Sequence, residues 1–465
     1  MTQNAAGEMG LFVNIGQRDL QLDGQPLDPA QLRERSRELA ADFKNVKDRI
    51  RAPMIEAAMN LIYAVHGKVA LRPLVFFATD QPDAAYRAGD TIECARLLKR
   101  WLAEQPGRRT PDRIEIVSVS GQPNLYDMMF SEYGPRLSRY AAACTGDAYL
   151  LCAGGTPACN TALILAGTIA FGARAHVLTV NPGQATAAPL AFGRQILELY
   201  RRSNLRQLLD RRDFDGVASF EGNGDHIRQL ADAASARMNF DFAASFRILN
   251  ELRQRLVPPP AQLNVLCDEG SRLLDGDDIE VLRDLYWNTK LKWERGEYAD
   301  FLGRVWRLRE AALYREVGRL CGEPLDKDGK VLKRWIEDSA QAGLKAHLAL
   351  QRLAIEMNNK VLQSCLVYVG ANGRGLTREE AASVAAVNET TRFLEKASAL
   401  RNKSIIAHGY EGLSRDRILD ALGVPNDPEA MFERLRDLLA AVGVTVGEDP
   451  FARFAELIED LDNRE

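Results

Sequence analysis

The first 180 or so residues alternate short apolar runs with longer amphipathic patterns, and this alternation constrains the fold more than any other feature. Apolar runs of four to eight residues are typical of buried strands, whereas apolar residues at three- and four-residue spacing are typical of helices. Such βαβ units build a Rossmann-like, mostly parallel, doubly wound sheet, which binds ligands at the carboxyl ends of its strands. The predicted strands are residues 11–15, 74–78, 114–119, 149–152 and 175–180. The predicted helical segments are residues 29–65, 90–103, 125–143 and 161–171.

The second half of the chain has a different texture. The strand patterns stop after Asn181, and from about Gly193 the sequence is helical almost to its end. We therefore predict an α/β domain over residues 1–187, followed by an all-α domain over residues 188–465. The linker at residues 181–192 is expected to transmit ligand binding from the first domain to the second.

The composition narrows the class of protein. The chain has 465 residues, of which 46% are hydrophobic and 27% are charged, as in globular domains with sizeable cores. It has no apolar run of about eighteen residues and no secretory signal pattern at its start, so we expect a cytoplasmic protein without membrane contacts. Seven cysteines without a CxxC pair predict reduced thiols and no metal site. A net charge of −4 argues against stable DNA binding and leaves only local contacts with RNA.

A glycine-rich turn, Cys-Ala-Gly-Gly-Thr-Pro-Ala-Cys-Asn at residues 152–160, lies between the fourth predicted strand and an apolar helix. Its glycines let the backbone approach a ligand, Thr156 can cap the helix, and Pro157 suits the first helical position. Free amides at such a helix start attract phosphate. The turn is neither a Walker loop nor GxGxxG, and a tight turn without a ligand would look the same. The candidate ligand-binding residues here are Gly154, Gly155, Thr156, Pro157 and Asn160.

Small polar residues also follow the first three predicted strands. Because the carboxyl ends of parallel strands meet at one edge of a sheet, these residues and the glycine-rich turn predict a concave polar pocket. The further candidate ligand-binding residues are Asn14, Gly16, Gln17, Arg18, Thr79, Asp80 and Gly121.

A segment near the C-terminus contains Arg401, Asn402 and His408. A spacing of seven residues predicts that the arginine and the histidine lie on one face of a helix, about two turns apart. A guanidinium can hold a phosphate and an imidazole can move a proton near neutral pH, which on two subunits is enough to cleave RNA without a metal. Alternatively, His408 ends a helix and Arg401 forms a surface ion pair.

These features together resemble a known family. The Asn-Ile-Gly-Gln-Arg-Asp loop at residues 14–19, the glycine-rich turn and the distal Arg-Asn to Ala-His segment look like those of CRISPR-associated ribonucleases that join a CARF sensor to a HEPN effector. The order of a sheet domain and then a helical domain is also similar. The resemblance implies a type III accessory enzyme of the Csm/Csx kind, active in antiviral defence. Such an enzyme binds cyclic oligoadenylate in a CARF homodimer and cuts single-stranded RNA nonspecifically in a HEPN homodimer.

The resemblance also implies roles for particular residues. Gly154, Gly155 and Thr156 would donate to the phosphates of the cyclic ligand, and Asn14, Gln17 or Arg18 would contact its riboses and bases. Many relatives have a lysine or another long polar residue where this chain has Pro157, so phosphate contacts here would rest more on backbone amides or on Arg18. The ring size, four or six adenylates, stays open, as does cleavage of the ligand by the sensor itself.

In the effector, His408 would carry the proton and Arg401 would stabilise charge on the scissile phosphate. Asn402 would orient the histidine or the phosphate. Attack by the neighbouring 2′-hydroxyl needs no metal and leaves a 2′,3′-cyclic phosphate.

Two other functions remain open at the level of sequence. One is a ligand-sensing regulatory or binding protein with a noncatalytic helical domain. The other is a HEPN toxin-type ribonuclease that works without a CRISPR signal. Loss of cleavage in His408→Ala would argue against the first, and a requirement for a cyclic nucleotide would argue against the second.

Overall fold

The structure is a computed structural model that describes residues 9–67, 71–104, 111–181, 184–220, 222–338, 342–372 and 376–464. The chain divides into two compact units, Met1–Ser203 and Asn204–Glu465. This division lies within a helix at Phe192–Asp210, further along the chain than residue 187. The predicted functional boundary after residue 187 stays a prediction.

The first unit alternates strands and helices over its described residues. The strands are β1 (Met9–Asn14), β2 (Gln21–Leu22), β3 (Gln25–Pro26), β4 (Ile50–Arg51), β5 (Leu71–Thr79), β6 (Ile114–Val119), β7 (Ala148–Leu151), β8 (Ala175–Thr179) and β9 (Ala188–Leu190). The α-helices are α1 (Leu32–Ala41), α2 (Phe43–Val46), α3 (Pro53–His66), α4 (Ile92–Ala103), α5 (Tyr126–Ala143), α6 (Pro157–Phe171) and the start of α7 (Phe192–Asp210).

Six strands form one sheet in the order β6-β5-β1-β7-β8-β9. Neighbouring strands are parallel except for β8 and β9, which are antiparallel. Helices α1, α3 and α4 share a core with one face of the sheet, and α5 and α6 share a core with the other. Leu11 and Val13 of β1 therefore pack on one face and Phe12 on the opposite face. The prediction of a Rossmann-like domain with a mostly parallel sheet is confirmed.

Two details of the predicted first domain are wrong. Residues 29–65 are not continuously helical, because Ile50 is buried in β4, which pairs with β2 in a small antiparallel sheet, and Pro53 starts a new helix. Strands also continue beyond Asn181, since β9 pairs with β8 at the edge of the large sheet. Its three residues include Pro189, which is tolerated at an edge strand but hides the strand pattern in the sequence.

The second unit is helical throughout its described residues. After the end of α7, its helices are α8 (Phe214–Ser219), α9 (Asp225–Met238), α10 (Phe242–Arg255), α11 (Ala261–Leu274), α12 (Asp278–Glu294), α13 (Tyr298–Cys321), α14 (Lys330–Glu337), α15 (Ala342–Leu350), α16 (Asn359–Asn372), α17 (Arg378–Glu395), α18 (Ser398–Lys403), α19 (Arg415–Leu422), α20 (Pro428–Ala441) and α21 (Pro450–Asp462). The prediction of an all-α second domain is confirmed for the described residues of this unit, whereas β9 lies within the range 188–465 that was predicted to be helical.

Helix α13 is central to the larger core of the second unit. Phe301, Val305, Leu308 and Ala312 recur at three- and four-residue spacing and are all buried. They pack in one cluster with residues of α12, α16, α17, α19 and α20. A smaller core contains residues of α7, α8, α9, α10, α11 and α21. No helix within the described ranges is both long enough and apolar enough to span a membrane.

Candidate functional site

The first part of the site lies where the connections of the large sheet change direction. From β1 the chain passes to β5 on one side, whereas β7, the fourth parallel strand along the chain, lies on the other side of β1. In doubly wound sheets, ligands bind in the crevice at the carboxyl ends of the two strands at this point. The loop after β1 and the glycine-rich turn after β7 are the two segments that lie there.

The loop and the turn approach each other so closely that only glycine fits. A Cβ atom on Gly16 would overlap with the backbone nitrogen of Gly155, and one on Gly154 would overlap with the carbonyl oxygen of Asn14. Gly155 has a φ of +76°, which favours glycine for a second reason. The structure thus brings together these two predicted ligand-binding segments.

The start of α6 has the geometry that the sequence predicts. Thr156 is the N-cap, and its hydroxyl accepts a hydrogen bond from the amide of Cys159 at 3.2 Å and donates one to the carbonyl oxygen of Pro123. Pro157 occupies the first helical turn. Capping leaves other amides of this turn available for an anion.

Several predicted ligand-binding side chains are engaged within the protein. Asn14 is buried, donates to the side-chain oxygen of Asn160 at 2.9 Å and accepts from the hydroxyl of Tyr133 at 2.8 Å. Thr79 exchanges hydrogen bonds with Thr91. Asp80 forms an ion pair with Arg33 at 2.8 Å, and the amide of Gly121 donates to Glu132 at 2.7 Å. These contacts hold the loops in place, and direct ligand contacts from these groups stay a prediction.

The exposed members of the predicted set are few. Gln17, Arg18, Gly155 and Pro157 are exposed, whereas the other eight predicted residues are buried or half-buried. Arg18 is therefore the one cation of the set that is presented to solvent beside the two glycines. The expectation that Arg18 and backbone amides carry the phosphate contacts stays a prediction.

Asp19 is the buried acid that joins the loop to the turn, and it was not among the predicted ligand-binding residues. Its Oδ2 accepts a hydrogen bond from the amide of Gly16 at 2.5 Å, and a Cβ on Gly154 would overlap with the same oxygen. Its Oδ1 is buried without a hydrogen-bond partner among the described residues. Burial raises the pKa of Asp19 to about 7, although the bond from Gly16 opposes this rise. The acid thus changes charge near neutral pH directly beneath the loop.

We expect Asp19→Asn to stabilise the protein more at pH 8 than at pH 5. The raised pKa means that the folded state binds the proton more tightly than the unfolded state, so the wild type loses stability between about pH 4 and pH 7. The amide keeps an acceptor for Gly16 but carries no charge, and the gain at pH 8 should be about 1–3 kcal/mol. Urea unfolding of both proteins at the two pH values measures it. An equal difference at pH 5 and pH 8 would contradict the assignment.

The second part of the site is a turn, which corrects the prediction that Arg401 and His408 share a helical face. Helix α18 ends at Lys403, and Ser404 has an extended backbone with a ψ of 170°. The amide and the hydroxyl of Ser404 both donate to the carbonyl oxygen of Arg401, at 3.1 and 2.8 Å, and so compete with continued helix. His408 therefore lies in the turn that follows the helix.

Backbone hydrogen bonds fold this turn back onto the end of α18. The amide of His408 donates to the carbonyl oxygen of Asn402 at 3.3 Å, and that of Gly409 donates to Ser404 at 3.1 Å. A Cβ atom on Gly409 would overlap with the carbonyl oxygen of Lys403, so the close return requires glycine. The backbone of His408 therefore lies close to Asn402, the residue after Arg401, although His408 is not on a helix.

The two predicted catalytic side chains differ in exposure. His408 is exposed, and it is the only exposed one of the five histidines, all of which are described. Arg401 is half-buried, with its guanidinium 5.6 Å from the centre of the Trp306 ring. Its Nε is buried and has no hydrogen-bond partner in the described part of the chain. Asn402 is exposed at the end of the helix.

Arg309 on α13 is a second buried guanidinium near Arg401, and sequence reasoning missed it. It donates to Gln363 at 2.8 Å and to Glu395 at 3.0 Å. Burial lowers the pKa of Arg309, Glu395 opposes this shift, and the positive charge of Arg401 lowers the pKa further. Glu395 balances the charge of Arg309, and Arg401 is a further positive charge close to this pair.

The described residues contain no group of three or more histidine, cysteine or acidic side chains that could hold a metal ion. None of the seven cysteines, all of which lie in the described ranges, forms a disulfide. The prediction that activity needs no metal stays a prediction.

Comparisons with known proteins give one informative result. No protein-family model matches the chain, and no curated protein matches it as a relative. Among solved structures, Csm6 from Enterococcus italicus, bound to cyclic hexa-2′-fluoro-hexa-dAMP, matches over 98% of this chain and 100% of that chain. The TM-score is 0.54 and the sequence identity is 13%, so the match is one of fold. The chain therefore has the fold of Csm6 across both of its units, which confirms the architecture that the resemblance implies.

Proposed function

We propose that this protein is a ribonuclease of type III CRISPR defence, which binds cyclic oligoadenylate in its first unit and cleaves single-stranded RNA in its second. The observation that carries the catalytic part is the turn after α18, which exposes His408 and bonds its amide to the carbonyl oxygen of Asn402, the residue next to Arg401. The guanidinium of Arg401 has a buried Nε without a hydrogen-bond partner among the described residues. The fold shared with Csm6 adds support by analogy alone, because one fold can host many functions.

The proposed reaction is transfer of the RNA phosphodiester within the substrate. The 2′-hydroxyl attacks the adjacent phosphorus, and the bond from phosphorus to the 5′-oxygen of the next nucleotide breaks. His408 takes the proton of the hydroxyl or gives one to the leaving oxygen, and Arg401 stabilises the negative charge that develops on the phosphate. The upstream fragment then ends in a 2′,3′-cyclic phosphate. The reaction needs both proton transfers, which two copies of His408 in a homodimer would supply.

The proposed activator is a ring of linked adenylates bound at the carboxyl edge of the sheet. Exposed Gly155, the amides at the start of α6 and the guanidinium of Arg18 suit phosphates. The Csm6 structure contains a cyclic hexanucleotide analogue, and this analogy is the source of the proposed ligand class. A symmetric ring would bind one loop set from each of two subunits.

A homodimer is also supported by apolar surface on the first unit. Tyr126 and Phe130 of α5 are 54% and 42% exposed, and Ile169 of α6 is 68% exposed. Tyr126 and Phe130 are four residues apart and therefore share one face of α5, and exposed apolar side chains on one face are typical of a surface that a partner covers. Activation is then a population shift, in which the ring binds better to the dimer arrangement that aligns the two Arg401 and His408 pairs.

The ends of the RNA products test the proposed chemistry. Mass spectrometry of a cleaved oligonucleotide should find a 2′,3′-cyclic phosphate on the upstream fragment. The same oligonucleotide with a single 2′-deoxy sugar at the cleaved position should resist cleavage there, because the attacking hydroxyl is missing. Cleavage at the deoxy position, or a 5′-phosphate on the downstream fragment, would instead show attack by water.

A further inference from the structure

An open cavity of about 540 Å³ lies directly beside the turn that carries His408. One wall is the turn after α18, and the other is the segment that starts α13. The lining residues on which the argument rests are Glu297, Asp300, Ile405, Tyr410 and Glu411. The proposed reaction uses none of these side chains.

Tyr410 is the most exposed large apolar or aromatic side chain in the described part of the protein, at 94%. Ile405, in the same turn, is 73% exposed. Their backbone is nevertheless held in place, because the amides of Gly409 and Glu411, on either side of Tyr410, donate to the carbonyl oxygens of Ser404 and Lys403 at 3.1 and 2.9 Å. A ring on a fixed backbone loses little entropy when a flat ligand stacks on it.

Three carboxylates line the same cavity and determine which part of an RNA can enter. Glu297 pairs with Arg295 at 2.6 Å, Asp300 with Arg304 at 3.5 Å, and Glu411 with Arg417 at 2.8 Å. Lys292 and Lys403 pair with the same carboxylates, so these side chains act as hydrogen-bond acceptors, and the guanidinium of Arg401 is the group that attracts a phosphate. Carboxylate oxygens accept hydrogen bonds from exocyclic amino groups. The cavity is therefore suited to a base of the RNA, and the region of Arg401 is suited to its phosphate backbone.

We propose that this cavity binds a nucleobase of the RNA substrate, stacked on Tyr410, with a preference for bases that carry an exocyclic amino group. The inference rests on the proposed ribonuclease function and adds a specificity determinant to it. Tyr410 positions the strand so that the phosphate next to the bound base lies at Arg401 and His408. Asp300, whose side chain is 57% exposed, is the most accessible of the three carboxylates and accepts from the amino group.

The binding test uses the full-length His408→Ala protein, in which we expect cleavage to be at least about a hundredfold slower, and fluorescein-labelled 12-mers of oligo(A) and oligo(U). We expect Tyr410→Ala in this background to weaken oligo(A) binding about tenfold, because stacking on one aromatic ring is worth roughly that much. Tyr410→Phe should restore most of the affinity, since it keeps the ring. Leu350→Ala, which removes an 86% exposed apolar side chain elsewhere in the same unit, should leave the affinity unchanged.

The base preference has its own readout. The protein that retains Tyr410 should bind oligo(A) more tightly than oligo(U). Asp300→Ala should reduce the ratio of the two affinities. In the cleaving protein, Tyr410→Ala should raise KM more than it lowers kcat. Unchanged KM and RNA affinity in Tyr410→Ala, beside normal cleavage by the wild type, would overturn the base site while the proposed function stands.

A second copy of the chain is the other occupant that an exposed ring could take. Light scattering on the same variants distinguishes it. If Tyr410→Ala dissociates the protein into monomers and the RNA affinity per monomer is unchanged, the cavity is a subunit contact and the inference is wrong. If the wild type neither binds nor cleaves RNA, both the proposed function and the base site are wrong.

Discussion

Replacing His408 with alanine should reduce RNA cleavage by at least about a hundredfold. A positioned proton donor or acceptor typically contributes a factor of about 10² to 10⁴ to the rate, and His408 is the only exposed histidine of the chain. Because the side chain is exposed, its loss should change the free energy of unfolding by less than about 0.5 kcal/mol. Initial rates of cleavage of a fluorogenic single-stranded RNA, beside thermal unfolding of both proteins, measure the two effects.

The matched control is His347→Ala in the same unit. His347 packs against Tyr368 with ring centres 5.1 Å apart and contacts Gln351, so its removal is the same chemical change at a structural site. We expect this variant to retain the wild-type cleavage rate per folded molecule. Normal cleavage in His408→Ala would exclude the proposed role and favour a noncatalytic helical domain.

Replacing Gly154 with alanine should uncouple the sensor without touching the catalytic turn. The new Cβ would overlap with the backbone oxygen of Asn14 and with the carboxylate of Asp19, so the loop after β1 and the glycine-rich turn must move apart. Such overpacking typically costs about 1–3 kcal/mol. If that cost falls on the ligand-binding arrangement, half-maximal activation should need roughly tenfold to a hundredfold more cyclic ligand.

Gly134→Ala is the control for this substitution. Gly134 lies inside α5, where a Cβ atom would meet nothing within 4 Å, so alanine should be tolerated and slightly favour the helix. Its activation curve should match that of the wild type. An unchanged activation curve in folded Gly154→Ala would show that the glycine-rich turn does not contribute to ligand binding.

The architecture was predictable because both halves follow simple periodicities. Long buried strands such as β5 and long amphipathic helices such as α13 carry strong patterns, and a mostly parallel sheet with helices on both faces follows from βαβ alternation. The short β2, β3, β4 and β9 were missed, since two or three residues are too few to show a period. Their pairing depends on contacts that are distant in sequence.

The sequence predicted which types of residue form the candidate site, but it predicted their spatial arrangement less well. The glycines at 154 and 155 predicted a close approach of the backbone to a ligand, whereas the structure shows a close approach of two loops, at Gly16 and Gly154. The role of Asp19 between these loops could be recognised only once they were in contact. Helical spacing suggested the pairing of Arg401 with His408, whereas the structure uses a turn that Ser404 starts and Gly409 closes. Arg309 is far from Arg401 in sequence, and no local pattern marks it.

Cleavage of a fluorogenic single-stranded RNA by the wild-type protein in EDTA, with and without cyclic tetra-adenylate or cyclic hexa-adenylate, tests the central claim most directly. The proposed function predicts little cleavage without ligand and rapid cleavage with one of the two rings, since the sensor controls a reaction that needs no metal. Equal cleavage in the presence and absence of either ring would contradict control by the sensor. No cleavage in EDTA that returns when magnesium or manganese is restored would contradict metal-independent catalysis by Arg401 and His408.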